Sequence, residues 1–118
     1  MSDHYTLFHN PRCSKSRAAL DLLRARGLDA DVMLYLDTPP DAAALRALLG
    51  KLDMTPRALL RTGEPEYREL GLGDLTLDDD ALIAAMATHP KLIERPILVR
   101  GSRAVIGRPT ERLLTLLD

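Results

Sequence analysis

The only cysteine of the chain, Cys13, lies in the segment FHNPRCSKSRAALDLL, between a short apolar stretch and an amphipathic helix. At a helix N-terminus, unpaired backbone N–H groups and the helix dipole favour a thiolate and lower the pKa of a cysteine. The neighbouring residues are polar, and no apolar pattern requires a buried residue at this position. The sequence therefore favours a reactive thiol over an inert cysteine that only fills space.

The same helix start could bind an anion. We expect the N–H groups of Ser14, Lys15, Ser16 and Arg17 to hold the oxygens of a tetrahedral oxyanion while the sulfur faces its central atom. The chain cannot complete a dithiol cycle alone, because Asn10 and Ser16 stand where a second cysteine would be needed. Any disulfide must therefore form with a partner thiol, for which glutathione and a glutaredoxin are the obvious intracellular candidates.

The totals of the sequence limit the classes of function. A chain of 118 residues has the length of one domain, and 16 Lys and Arg against 17 Asp and Glu give no basic field for nucleic acid or an anionic membrane. No apolar run of about 18 residues and no signal peptide is visible, so a cytoplasmic location is the default expectation. No metal-ligand cluster or glycine-rich fingerprint indicates a bound metal, flavin or nicotinamide.

Hydrophobic patterns and turn signals predict the order β-α-β, then several short helices, then β-β-α. The first helix begins at Ser14 and ends at Gly27, and two short helices are expected at Asp41–Leu52 and Arg57–Arg61. A further helix begins with Thr76 and the acidic residues after it. The last helix, Pro109–Leu117, ends the chain. Strands are expected at Tyr5–His9, Val32–Leu36, Pro96–Val99 and Ala104–Ile106. This order is that of an α/β thioredoxin-like fold with a four-stranded mixed sheet, forming one domain over residues 1–118 with a helical insert at about 38–94.

Four blocks of the sequence resemble motifs of the glutaredoxin-linked arsenate reductase family, specifically of its short members. HNPRCSKSR resembles the active-site segment, and the other three blocks follow in the expected order: RALLRTGEPEYRELGL, ALIAAMATHPKLIERPILV and AVIGRPTE. The resemblance covers nearly the whole chain. It implies an oxidoreductase of arsenic resistance that reduces arsenate to arsenite, binds no cofactor and takes electrons from glutathione and glutaredoxin.

The resemblance also implies roles for individual residues. Cys13 would be the nucleophile that attacks arsenate, and Arg61, Arg95 and Arg108 would bind the oxyanion. Arginine suits this role because its paired N–H donors match two oxygens at once. Thioredoxin-like folds place a cis-proline beside the active-site cysteine, so the bond between Arg95 and Pro96 is predicted to be cis.

Residues near Cys13 are expected to have lesser roles. His9 could influence the thiolate through hydrogen bonds, although a histidine at the end of a strand is more often structural. Asn10 is an auxiliary residue of the same loop. Lys15 and Ser16 would act through their backbone, and Arg17, one turn from the cysteine, could assist.

Two other functions stay open. A general glutathione-linked thiol oxidoreductase would use Cys13 to carry mixed disulfides and the arginines to bind glutathione carboxylates. A regulatory protein like the Spx transcription regulators is disfavoured, because its redox switch has two cysteines and position 10 is asparagine here. The three arginines favour arsenate reduction, since oxyanion binding needs them and thiol exchange does not.

Overall fold

The computed structural model describes residues 4–117. The chain divides into two compact units, of which one holds the chain up to Thr38 and from Arg95 onward, and the other holds Pro39–Glu94. The second unit covers nearly the same residues as the helical insert expected from the sequence.

A mixed sheet of four strands forms the centre of the first unit, in the order β2-β1-β3-β4. Strand β1 is parallel to β2 and antiparallel to β3, and β3 is antiparallel to β4. The α/β class and the thioredoxin-like arrangement of β-α-β and β-β-α halves are therefore confirmed. The strands are β1 (Tyr5–Phe8), β2 (Asp31–Met33), β3 (Ile97–Arg100) and β4 (Arg103–Ile106).

Helix α1 (Ser14–Ala25) connects β1 to β2 and packs its apolar face on the sheet. The central strands contribute Leu7 and Leu98, which are direct partners in the β1–β3 register and are both fully buried. Burying one leucine side chain contributes roughly 1.5–3 kcal/mol, so the buried leucines of this cluster stabilise the unit. Its buried members are Tyr5, Leu7, Ala19, Leu23, Leu98, Leu113 and Leu116.

Two elements of the first unit differ from the prediction. The second strand ends at Met33 instead of Leu36, because the chain turns there and the N–H groups of Asp37 and Thr38 both donate to the carbonyl oxygen of Leu34 at 3.0 Å. The C-terminal helix is a 3₁₀ helix, Thr110–Leu116, whose N-cap Pro109 has no side chain that could cap the first turn.

The second unit is helical. Its longer helices begin at acidic caps, because Asp41 accepts a hydrogen bond from the N–H of Ala44 at 2.8 Å and Asp78 accepts one from Ala81 at 2.9 Å. Within the described residues, no helix of either unit is long and apolar enough to cross a membrane. The helices of this unit are α2 (Ala42–Leu52), α3 (Pro56–Leu59), α4 (Pro65–Glu69), α5 (Asp79–Thr88) and the 3₁₀ helix Pro90–Leu92.

Two helix boundaries of this unit were predicted wrongly. Helix α5 is capped by Asp78, whereas the hydroxyl of Thr76 donates to the carboxylate of Asp74 at 2.8 Å in the preceding turn. Helix α3 ends at Leu59 instead of Arg61, because Leu60 forms an isolated antiparallel bridge with Ile93. Arg61 therefore lies on extended chain beside the segment that leads to Arg95.

Gly107 lies in a position of the first unit that has no room for a side chain. Its N–H donates to the carbonyl oxygen of Pro96 at 2.9 Å, which ties the residue before Arg108 to the residue after Arg95. A Cβ atom at Gly107 would lie 2.9 Å from Cδ2 of Leu113 and 3.2 Å from Cγ of Pro96. The absence of a side chain therefore permits this close approach.

We predict that Gly107→Ala destabilises the protein by about 1–3 kcal/mol, because Leu113 and Pro96 must move to accept the methyl group. The free energy of unfolding in urea measures the effect. Gly50→Ala is the matched control. Gly50 lies inside α2 with open space around the Cβ position, so the same change should stabilise the protein by roughly 0.5–1 kcal/mol. Equal effects of the two changes would contradict the packing argument.

Candidate active site

The loop between β1 and α1 is fixed by hydrogen bonds on both sides of Cys13. The N–H of Cys13 donates to the carbonyl oxygen of Asn10 at 3.0 Å, and the side-chain oxygen of Asn10 accepts from the N–H of Arg12 at 3.0 Å. The guanidinium of Arg17 reaches back to the carbonyl oxygen of Pro11 at 3.0 Å. These contacts hold Cys13 in an extended conformation at the N-cap of α1, where the sequence analysis expects it.

The surroundings of Cys13 favour the thiolate. Burial alone would raise the pKa of this half-buried thiol, but the N–H of Ser16, the hydrogen bond and charge of Arg95, and the N–H of Lys15 together hold the pKa below its ordinary value. The side chain of Cys13 makes no helix-capping hydrogen bond, so the helix amides favour the thiolate through their field, and Arg95 favours it through its hydrogen bond and its charge.

Ser16 supports the loop from inside the protein. Its side chain is fully buried on the face of α1 that also carries Ala19 and Leu23. The hydroxyl oxygen accepts from the N–H of Asn10 at 3.0 Å and lies 2.6 Å from Nδ1 of His9. Sequence reasoning assigned only the backbone of Ser16 to the site and missed this hydroxyl, although the residue falls on the buried stripe of the helix.

His9 is buried beneath the loop, and its surroundings disfavour the charged form of the imidazole. Burial, followed by the positive charges of Arg24 and Arg17, lowers the pKa of His9, whereas a hydrogen bond with the backbone of Ser16 raises it. The Ser16 hydroxyl has one donor and two acceptor sites, so it accepts from the N–H of Asn10 and also pairs with Nδ1 of His9. His9 therefore contacts the loop through Ser16.

Arg17 differs from its predicted role. Its N–H donates to the carbonyl oxygen of Cys13 at 3.0 Å, which is the first hydrogen bond of the helix, so this amide is not available to an anion. Its side chain holds the loop at Pro11. The expected cradle of backbone donors therefore consists of Ser14, Lys15 and Ser16.

Arg95, one of the three predicted oxyanion-binding arginines, lies beside the thiol. Arg95 acts directly on Cys13, and the bond between Arg95 and Pro96 has the predicted cis geometry. Arg108 follows Gly107 in the same unit, is exposed and also precedes a cis-proline. Arg61 lies in the second unit, where it donates to Glu64 and to the carbonyl oxygen of Lys91. The binding of an oxyanion by these arginines stays a prediction.

The described residues of this site can supply nucleophilic chemistry. A half-buried thiol with a lowered pKa can attack an electrophilic centre, and the adjacent guanidinium and helix amides can stabilise negative charge that develops on the oxygens of that centre.

Within residues 4–117, no group of three or more His, Cys, Asp or Glu side chains is arranged to hold a metal ion.

Fold and site together define a thioredoxin-like protein whose single cysteine lies at the N-cap of its first helix. The chain belongs to the ArsC family, whose family model matches residues 8–116.

Individual relatives cover almost the entire chain. The chain is 50% identical over 112 residues to a protein named arsenate reductase from Neisseria meningitidis. The aligned region covers 94% of this chain and 96% of that protein. It is also 50% identical over 117 residues to the Escherichia coli protein named YfgD, with 98% of each chain covered. Among solved structures, an arsenate reductase from Vibrio cholerae superimposes with a TM-score of 0.94 at 47% identity, again with 98% of each chain covered.

We predict that Ser16→Ala lowers the free energy of unfolding by about 1–3 kcal/mol, because it leaves Nδ1 of His9 and the N–H of Asn10 without their shared partner. Urea denaturation measures the change. Ser14→Ala, at an exposed position two residues earlier, should have a much smaller effect. If both substitutions destabilised the protein equally, the buried hydroxyl would not be what holds the loop.

Proposed function

We propose that this protein is an arsenate reductase that takes its electrons from glutathione and glutaredoxin. The observation that carries the proposal is the lone thiol of Cys13, whose pKa is lowered beside Arg95 at a helix N-terminus. The names of the relatives from N. meningitidis and V. cholerae support the choice of arsenate as the oxyanion.

In the proposed first step, the Cys13 thiolate attacks arsenic in arsenate. A sulfur–arsenic bond forms and one arsenate oxygen leaves as water after protonation, with arsenic still in the +5 state. The N–H groups at the start of α1 and the guanidinium of Arg95 stabilise the remaining anionic oxygens, and Arg61 and Arg108 complete the proposed oxyanion site.

In the proposed second step, a glutathione thiolate attacks the Cys13 sulfur. A disulfide forms, the electron pair of the sulfur–arsenic bond stays on arsenic, and arsenite leaves in the +3 state. A glutaredoxin thiol then takes glutathione from the mixed disulfide and restores Cys13. An external thiol is needed for this exchange because the chain has one cysteine and cannot resolve the disulfide by itself.

The lone thiol on a thioredoxin-like scaffold also favours a second candidate, a general glutathione-linked thiol oxidoreductase. In that case Cys13 would exchange with mixed disulfides and would need no oxyanion. Hydroxyethyl disulfide is therefore the substrate that separates the two candidates.

We expect arsenate to drive NADPH consumption in the presence of glutathione, glutaredoxin and glutathione reductase. Cys13→Ser should abolish the arsenate-dependent rate, because no other residue of the chain can form the sulfur–arsenic bond. Omission of glutaredoxin should also slow the rate. Turnover with hydroxyethyl disulfide but not with arsenate would replace the proposal with the second candidate.

We further predict that Arg108→Lys lowers kcat/KM for arsenate by about tenfold or more, because lysine cannot offer paired donors to two oxygens. The melting temperature should stay nearly unchanged, since Arg108 is exposed. Arg112→Lys, at an exposed position of the adjacent 3₁₀ helix, is the matched control and should leave the rate unchanged. A large fall in melting temperature for Arg108→Lys would instead indicate a structural role.

A further inference from the structure

Arg61 is held by an ion pair that is largely shielded from water. Its Nη1 atom donates to Oε1 of Glu64 at 3.0 Å and to the carbonyl oxygen of Lys91 at 3.3 Å. The side chains of both Arg61 and Glu64 are only 21% exposed. At this exposure the pair is screened less than a surface salt bridge, so it restricts the guanidinium effectively.

The backbone around this ion pair is fixed on both sides. The N–H of Arg61 donates to the carbonyl oxygen of Leu92 at 2.8 Å, and the N–H of Glu94 donates to the carbonyl oxygen of Leu59 at 3.0 Å. These bonds flank the bridge between residues 60 and 93 and anchor the base of the Arg61 side chain.

Glu64 is positioned by the turn that follows Arg61. Its N–H donates to the carbonyl oxygen of Arg61 at 3.4 Å, which closes the turn and brings the two side chains together. Pro65 comes next and begins α4, and a residue before proline is restricted to an extended backbone, as Glu64 is. The carboxylate therefore projects from a constrained backbone.

The pairing involves only one of the three guanidinium nitrogens. Nη1 carries two N–H groups, and the two acceptors on Glu64 and Lys91 match them. Within residues 4–117, Nε and Nη2 of Arg61 donate to no protein acceptor. These two nitrogens form an edge with parallel donors, which matches two oxygens of an oxyanion.

We propose that Glu64 is a positioning residue that orients Arg61 and keeps its Nε and Nη2 donors available to an oxyanion. This inference rests on the proposed function, in which Arg61 binds the substrate. The negative charge of Glu64 by itself weakens the attraction of any anion to Arg61, so its benefit must come from orientation. Charge and orientation predict effects of opposite sign, which makes them separable.

Two substitutions at Glu64 separate these effects. Glu64→Gln keeps the acceptor oxygen that orients Arg61 and removes the charge, so arsenate should bind as tightly as to the original protein or more tightly. Glu64→Ala removes both, so the freed guanidinium must be ordered on binding and arsenate should bind about fivefold more weakly. Glu69→Ala, at an exposed position of α4, should change nothing.

The test uses protection of Cys13 by arsenate. Because the chain has one cysteine, the rate of iodoacetamide labelling reports that thiol alone, and the arsenate concentration that halves the rate reports binding without requiring turnover. The labelling rate without arsenate should be the same in all variants. If Glu64 had a merely structural role, its substitution would change this rate as well.

The outcomes separate this inference from the proposed function. Weaker protection in Glu64→Ala, restored in Glu64→Gln, supports the positioning role. Tighter binding in both variants would overturn it and make Glu64 a competing internal anion, and unchanged binding in both would also overturn it. If arsenate failed to protect the original protein, the proposed function itself would fail.

Discussion

The candidate site depends on the attraction between the Cys13 sulfur and the positively charged and N–H groups around it. Burial opposes ionisation of the sulfur, whereas the guanidinium of Arg95 and the N–H groups of Ser16 and Lys15 favour it, and the balance lowers the pKa. A thiolate is the nucleophilic form of cysteine, and an arginine that stabilises it can also bind an incoming anion. The charges that favour the thiolate are therefore the same charges that would bind the proposed oxyanion.

The sheet register explains how residues distant in sequence meet at this contact. Phe8 pairs with Ile97 at one end of the antiparallel β1–β3 ladder, so the loop that follows β1 lies beside the Arg95–Pro96 segment that precedes β3. The buried partners Leu7 and Leu98 fix this register, since a shift by one residue would turn both leucines away from the core. Gly107 then ties the segment before Arg108 to Pro96. Core packing and site geometry are thus consequences of one pairing.

The sequence predicted those features that local chemistry determines. Short apolar runs bounded by turn signals indicated the strands, the position of Cys13 before an amphipathic helix indicated its N-cap role, and the family motif indicated the cis bond before Pro96. The errors arose where long-range contacts decide the local conformation. Helix α3 ends before Arg61 because Leu60 pairs with Ile93, a contact across more than thirty residues of chain that no local pattern of residues contains. The buried hydroxyl of Ser16 was missed because its partners are backbone and imidazole atoms that only the folded loop brings near.

The most direct test of the central claim is the pH dependence of iodoacetamide labelling of Cys13 in the original protein and in Arg95→Gln. The labelling rate follows the thiolate fraction, so its midpoint reports the pKa of the thiol. We predict a midpoint clearly below the free-cysteine value of about 8.5 in the original protein and a higher midpoint in Arg95→Gln. An ordinary midpoint in the original protein, or the same midpoint in both proteins, would contradict it.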